Sequence, residues 1–255
     1  MISIDRTLCV SCGRCIESCP MGIFRRDGDR RAEVGKEKRC MRCMHCSAAC
    51  PVRAVRFEGL TVEETYPAPA EDEVARLIQG RRSTRCYRAE PPERALIEAA
   101  LEHAAFAPSA KNRRAGRWTV LYGKACTDRA AELALAYAEE SKKAPELALM
   151  ARAGKNLITC GAPCVVLCHA PGELGVLDGA IAMTTLELLL VRAGLGTCWG
   201  GYLSRIADEA PALRAWLGLP EGDRVCCALM VGYPDGDHYP NLPCRPAAET
   251  HWIEK

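Results

Sequence analysis

The sequence predicts a chain in two parts: a small cysteine-bearing module, and a larger domain in which strands and helices mix. Three observations predict it. The stretch from Cys9 to Pro20 (CVSCGRCIESCP) recurs from Cys40 to Pro51 (CMRCMHCSAACP), each cysteine 31 positions after its counterpart. Residues 60–70 carry Pro67 and Pro69 and no hydrophobic period, which reads as a linker. Beyond it, apolar strand and helix signals follow one another to the end of the chain. The boundaries implied are a module at 1–60, a linker at 61–70 and a domain at 71–255.

Both cysteine runs read C-x2-C-x2-C-x3-C-P, the bacterial ferredoxin spacing. A [4Fe–4S] cube needs four convergent thiolates, and in this spacing the fourth cysteine of each run serves the other cluster. One cube is therefore assigned to Cys9, Cys12, Cys15 and Cys50, the second to Cys40, Cys43, Cys46 and Cys19. Pro20 and Pro51 end each turn behind the fourth thiolate. Zinc fits poorly, because structural zinc pairs two C-x2-C units across a longer loop. Disulfide frameworks belong to small secreted chains, and MISIDRTLC contains no signal-peptide apolar region.

Seventeen cysteines in a chain without such a signal point to a reducing cytoplasm. The net charge of +2 gives no support for nucleic-acid binding. Residues 1–66 hold 12 Lys and Arg against 9 Asp and Glu, an excess read as compensation for the negative clusters. The longest apolar stretch, 179–191, is broken by Glu187 and flanked by Asp178 and Arg192. It reads as a buried helix, with no membrane span expected.

In order, Met1 to Asp5 alternates as a short strand, and 23–39 carries an Asp–Gly turn between polar flanks, as a hairpin would. Residues 71–80 form an amphipathic helix with Val74, Leu77 and Ile78 on one side. Arg81, Arg82, Ser83, Thr84 and Arg85 follow. This is either a solvated basic turn or a phosphate clamp, since guanidinium forks and hydroxyls match phosphate oxygens. A helix with proline at its start and Ile97, Ala100, Leu101 and Ala104 on one face ends at Pro108. Strands are expected at 118–123, 162–168 and 224–231. Helices are expected near 127–139, 144–153, 178–193 and 205–217, with a glycine-rich loop at 194–201 and a proline-rich tail. That loop follows a helix and lacks G-x-G-x-x-G, which excludes a Rossmann phosphate turn; a Walker A motif is also missing.

The motifs RRSTRCY (81–87), APSAKN (107–112), GAP (161–163), LGTCWGG (195–201), VGYP (231–234) and Arg245 in LPCRP resemble, in order and spacing, the FMN-dependent nitroreductase family. The whole chain resembles its ferredoxin-fused members, which carry two [4Fe–4S] clusters ahead of the flavin domain. The resemblance implies an α+β fold: a bacterial-type 2[4Fe–4S] ferredoxin module, then an α/β/α flavin domain whose sheet is mainly antiparallel. It also implies a homodimer with FMN at the subunit interface. Arg81, Arg82, Ser83 and Arg85 would hold the phosphate and ribityl chain, with Arg245 closing the phosphate site. Pro108, Ser109, Ala110 and Asn112 would line the ring. Cys198, Trp199, Gly200 and Gly201 would pass close to it, the glycines letting backbone N–H groups approach N5 and O4. Trp199 is alternatively a core residue. Many members read N-x-Q-P-W where this chain has Asn112, Arg113, Arg114, Ala115 and Gly116. The Gln, Pro and Trp on the substrate side are missing, and Arg113 and Arg114 either meet an anionic substrate or are solvated.

The nine other cysteines read as small buried hydrophobes, including Cys160, Cys164 and Cys168 with their four-residue spacing. His103 and His169 read as structural or surface groups. The functional expectation is a flavin oxidoreductase that passes electrons through the clusters to FMN and on to a small-molecule acceptor such as a nitroaromatic or quinone. Its reductant would be a ferredoxin- or flavodoxin-type donor or NAD(P)H. The alternatives are an electron-transfer or redox-sensing protein serving a protein partner, and a reductive dehalogenase or ene reductase on the same scaffold.

Overall fold

The computed structural model describes residues 1–235 and 239–254. The chain forms two compact units, one of residues 1–80 with the tail, the other Arg81–Asp235. The first unit is thus larger than the 1–60 expected from the cysteine repeat, and it takes in the expected linker and the proline-rich tail.

In the first unit the elements are β1 (Ile2–Ile4), α1 (Arg14–Glu17), β2 (Phe24–Arg26), β3 (Ala32–Val34), α2 (His45–Ala49) and β4 (Val55–Phe57). β1 pairs antiparallel with β4, and β2 with β3. The Asp–Gly turn forms as expected, with Asp27 Oδ1 accepting from the amides of Asp29 (3.0 Å) and Arg31 (2.8 Å). The expected linker is not bare. Thr61 opens α3 (Val62–Thr65) through a capping box closed by Glu64. Buried Tyr66 then bonds both the N–H and the C=O of Val55, each at 3.0 Å. Two prolines outweighed a T-x-x-E signature that was present in the sequence. α4 (Glu73–Gly80) forms as expected but leaves Val74 and Ile78 exposed.

The tail packs into this unit. Cys244 is buried in its core, and Asn241 Nδ2 donates to the carbonyls of Cys50 (2.7 Å) and Ser47 (3.3 Å).

The second unit begins with α5 (Arg94–Ala104), β5 (Arg117–Tyr122), α6 (Lys124–Ser141), α7 (Pro145–Arg152) and β6 (Cys164–Pro171). It continues with α8 (Gly172–Arg192), β7 (Gly196–Trp199), α9 (Gly201–Glu209), α10 (Pro211–Leu217) and β8 (Asp223–Gly232). The sheet order is β5-β6-β8-β7, with every neighbouring pair antiparallel. β6 is central and buried on both faces, which is why its sequence is an unbroken apolar run. Val165 and Leu167 face a core with Ala130, Ala134 and Ala138 of α6 and Leu203 and Leu213 of α9 and α10. Cys164, Val166 and Cys168 face the opposite core with Ile97 of α5 and Met183, Leu186 and Leu190 of α8. This is the expected α/β/α sandwich.

Three elements differ from expectation. The helix expected at 205–217 is split into α9 and α10, with Pro211 opening the second. α8 starts at Gly172, six residues before the expected Asp178, because its early glycines are packing residues. A Cβ on Gly179 would sit 2.7 Å from Cys226 Sγ, and one on Gly175 2.9 Å from Ala170 Cβ. At full length α8 is also apolar enough to cross a bilayer, with mean hydropathy 1.8. It instead packs one face on the sheet and buries Asp178 and Glu187. The stretch 196–199, expected as a loop, is strand β7. Here Thr84 donates to Thr197 O (2.8 Å), and Gly196 has no room for a Cβ beside Thr84.

At the other end of the sheet, buried Asp223 accepts from His169 Nδ1 (2.7 Å) and from Arg117 Nη1 (3.0 Å), while His169 Nε2 meets Thr119 Oγ1 (3.2 Å). These bonds tie β5, β6 and β8 together. Asp223→Ala leaves buried His169 Nδ1 without its partner and frees the more exposed Arg117, and breaking a buried pair costs about 3–5 kcal/mol. A fall of roughly 10 °C in the melting temperature of the second unit is expected by circular dichroism.

Candidate functional site

The first unit builds two cavities from cysteines. One is lined by Cys9, Cys12, Cys15 and Cys50, walled by Ile4, Val52, Ala54 and Val55. The other is lined by Cys19, Cys40, Cys43 and Cys46, walled by Ile23, Met44 and Phe57. Each cavity therefore draws three cysteines from one run and the fourth from the other.

The backbone explains how. The same left-handed positions recur 31 residues apart: Ser11 with Arg42, Gly13 with Met44, Gly22 with Arg53. These reversals turn successive cysteines toward one point. Glycine suits position 13 especially, because a Cβ there would collide with the Arg26 guanidinium. The sulfur contacts repeat as well, with Ile23 N donating to Cys19 Sγ (3.4 Å) and Ala54 N to Cys50 Sγ (3.1 Å).

Burial pushes the Cys15 thiol up to about 12, helped by Cys50, Cys12 and Cys9. Burial likewise raises Cys46, with Cys43 and Cys19 next. The larger mutual influences follow the two cavity sets, with Cys15 of the first set also raising Cys46. Among the described residues no group of three or more His, Cys, Asp or Glu converges on a single-ion site. The thiols instead ring two small cavities, four cysteines to each, the arrangement a cluster requires.

In the second unit the 81–87 segment is held against β7. Ser83 bridges Thr197, and Arg81 Nη1 donates to Glu187 Oε1 (3.2 Å). Glu187, only 3% exposed on α8, also accepts from Thr197 Oγ1 (3.0 Å) and from Trp199 Nε1 (2.9 Å). One buried carboxylate thus fixes both the first arginine of the motif and the indole. Arg82 is buried and donates to the Arg81 carbonyl (2.7 Å), while Arg85 stays exposed, with Nη1 on Ser83 O at 3.4 Å. Burial raises the Cys198 thiol, while Arg85 and a bond from Ser83 oppose the rise. Arg81, Ser83, Arg85, Cys198 and Trp199 are therefore neighbours. Gly200 spends its amide on Ala228 O (2.8 Å), so of the two glycines it is Gly201, opening α9, that leaves its N–H outside the ladder.

The 108–112 segment is held separately. The Ala110 amide donates to both oxygens of buried Asp178 (3.0 and 3.1 Å), and Ser109 Oγ accepts from Arg114 N (3.1 Å). Lys111, Asn112 and Arg114 are left-handed. Arg114 Nε donates to Asn112 Oδ1 (3.2 Å), so Asn112 and Arg114 brace each other, and Arg113 is exposed. Asp178 and Glu187 are nine residues apart on α8. That is two and a half turns, so their side chains leave opposite sides of the helix roughly 13 Å apart along its axis. Arg245 belongs to the first unit, where its Nη1 donates to the Cys43 carbonyl (3.2 Å).

Glu187, Asp178, Thr197 and Asn241 escaped the sequence reading. For Glu187 a signal existed: an acid inside an apolar helix in a chain that also carries an arginine cluster implies a buried partner.

Residues 1–51 match the 4Fe-4S dicluster domain, and residues 78–233 match the nitroreductase family. No curated protein matches the chain. Among solved structures it is similar to a nitroreductase with bound FMN from Desulfitobacterium hafniense DCB-2, at 23% identity over 72% of this chain and 100% of that one, TM-score 0.61. A nitroreductase with bound FMN from Bacteroides fragilis NCTC 9343 shows 23% identity over 72% and 98%, TM-score 0.57. The FMN-dependent nitroreductase NfnB from Mycobacterium smegmatis, in complex with NADPH, shows 24% over 70% and 97%, TM-score 0.55. At these identities the likeness is one of fold. The sandwich with its β7-docked arginine segment lies within a family match that spans more than half the sequence, and the chain belongs to the nitroreductase family.

Proposed function

We propose that this protein is an FMN-dependent oxidoreductase wired to two [4Fe–4S] clusters, reducing a small organic acceptor such as a nitroaromatic or quinone. The observation that carries it is the coexistence, in one chain, of two four-cysteine cavities and an arginine–serine segment docked on a glycine-rich strand. Cys9, Cys12, Cys15 and Cys50 hold one cube; Cys40, Cys43, Cys46 and Cys19 hold the other. When bound, the clusters supply one-electron relay and FMN supplies hydride or single-electron transfer at N5.

The residues supply position. Arg81, Arg82, Ser83 and Arg85 give phosphate and ribityl donors, with Arg81 fixed by Glu187. The Gly201 amide and the start of α9 place positive potential at the ring edge. Pro108, Ser109, Ala110 and Asn112 contact the ring from the second copy of a homodimer. That geometry is supported by their attachment to the opposite side of α8 from Glu187, and by the exposed Leu174, Leu177 and Ile181 of α8, an apolar face a second copy would cover. The reductant is a ferredoxin- or flavodoxin-type carrier or NAD(P)H, and the setting is a reducing cytoplasm.

Anaerobic purification tests the reading. About eight iron and eight sulfide with one FMN per chain are expected. Bleaching of the flavin by a reduced carrier should be lost in Cys12→Ala. Flavin-free protein, or rapid bleaching by NADPH in that variant, overturns the wired scheme.

A further inference from the structure

The loop that leads into the second cysteine run carries charges the rest of the module does not explain. Lys36, Lys38, Arg39 and Arg42 are all exposed within seven residues. Lys36, Lys38 and Arg39 make no ion pair among the described residues, and Arg42 donates to a carbonyl, Glu58 O, at 3.3 Å. The one acid of the loop, Glu37, is occupied elsewhere: it accepts from the Ile2 amide (2.8 Å) and lies 3.7 Å from the N-terminal ammonium. Near the end of this cationic turn, between Cys40 and Arg42, Met41 is 55% exposed. Met41 and Arg42 also line the cavity of Cys19, Cys40, Cys43 and Cys46, so whatever touches this turn lies against the wall of that cavity.

The arginines near the other cysteine set are used differently. Arg26 Nη1 donates to Ser11 O (3.2 Å) and Arg30 O (2.9 Å), Arg31 Nη1 to Arg6 O (3.2 Å), and Arg6 pairs with Asp27 (2.6 Å). Those guanidiniums hold backbone or carboxylate. Lys36, Lys38 and Arg39 hold nothing among the described residues and Arg42 holds only the Glu58 carbonyl, and a cationic rim beside an exposed apolar residue steers and seats an anionic partner. A nucleic acid is the other polyanion, but one turn without an aromatic side chain offers no stacking platform.

We infer that the Lys36–Arg42 turn is the docking surface for an acidic electron-carrier protein, which delivers electrons to the Cys19, Cys40, Cys43 and Cys46 cluster across Met41. This rests on the two-cluster reading above.

The test uses anaerobic holoenzyme mixed in stopped flow with a reduced, acidic 2Fe–2S ferredoxin as the probe, with dithionite as a second reductant. For the wild type the ferredoxin rate is expected to fall steeply with ionic strength. Lys36→Glu/Lys38→Glu/Arg39→Glu is expected to slow it ~10-fold or more at low salt and flatten that dependence, leaving dithionite reduction unchanged. A wild-type rate independent of salt overturns the docking surface whatever the variant does. So does a variant reduced by the ferredoxin as fast as wild type, and so does DNA retention lost in the variant with an unaltered ferredoxin rate. In each of these cases the clusters themselves stand. Iron-free protein that dithionite does not bleach overturns the cluster reading instead.

Discussion

Glu187→Ala is expected to cost about 3–5 kcal/mol and to yield protein without flavin, the larger of the two main effects anticipated here. The carboxylate is nearly inaccessible and receives three donors: Arg81, the Thr197 hydroxyl and the Trp199 indole. Removing it strands a partly buried guanidinium, the buried Thr197 hydroxyl and the indole N–H of the more exposed Trp199 at once, and an orphaned buried donor carries its own desolvation cost. The loss is also geometric, because the 81–85 segment is pinned to β7 on one side and to α8 through this carboxylate. Glu187→Gln keeps the shape but turns an amide N–H toward Arg81 or the Trp199 indole, which can only donate, while the Thr197 hydroxyl can turn to accept, so it should fall between. Thermal unfolding, Trp199 emission and flavin content after gel filtration measure the three consequences. An alanine variant that melts within 2 °C of the wild type and retains flavin would show that Glu187 is incidental.

Cys50→Ala is expected to reduce iron from about eight to four or fewer per chain and to loosen the whole first unit. Cys50 belongs by sequence to the second run and by position to the first cavity. It is buried, accepts from Ala54 N, and its carbonyl receives Asn241 of the tail. Cys12→Ala, at an exposed corner of the same cavity, should lose the same cluster with less effect on the fold. Anaerobic iron and sulfide assays with visible circular dichroism separate the two variants, and wild-type iron in Cys50→Ala would refute the crossed assignment. Assembly should also release protons. Burial holds the Cys15 thiol up to about 12, so iron must displace a proton there, and cluster retention should weaken as the pH is lowered.

The parts of the fold visible in the sequence are those whose cause is local. The 31-residue repeat displayed both cysteine sets, because each loop is built from its own reversals. Apolar runs marked β5, β6 and β8. What was hidden depends on distant partners. The residue that holds Arg81 lies 106 positions away, and the one that holds Ala110 lies 68 away. β7 reads as a loop because its glycine is selected by contact with Thr84 and not by turn geometry. The start of α8 was missed for the same reason. Around residue 61 the capping signature was local and legible, and the prolines after it carried too much weight.

The crossed sharing of cysteines has a consequence for how the first unit comes into being. Neither run alone encloses a cavity, since each supplies three walls of its own and the fourth of its neighbour's. Half a module is therefore not a smaller working part but an incomplete one, and filling either inorganic centre orders a cysteine loop that the other also needs. Reconstitution with limiting iron and sulfide should give a mixture of empty and fully loaded chains with few singly loaded ones. The 31-residue repeat is in this way an interlock, and deletion of either run removes both.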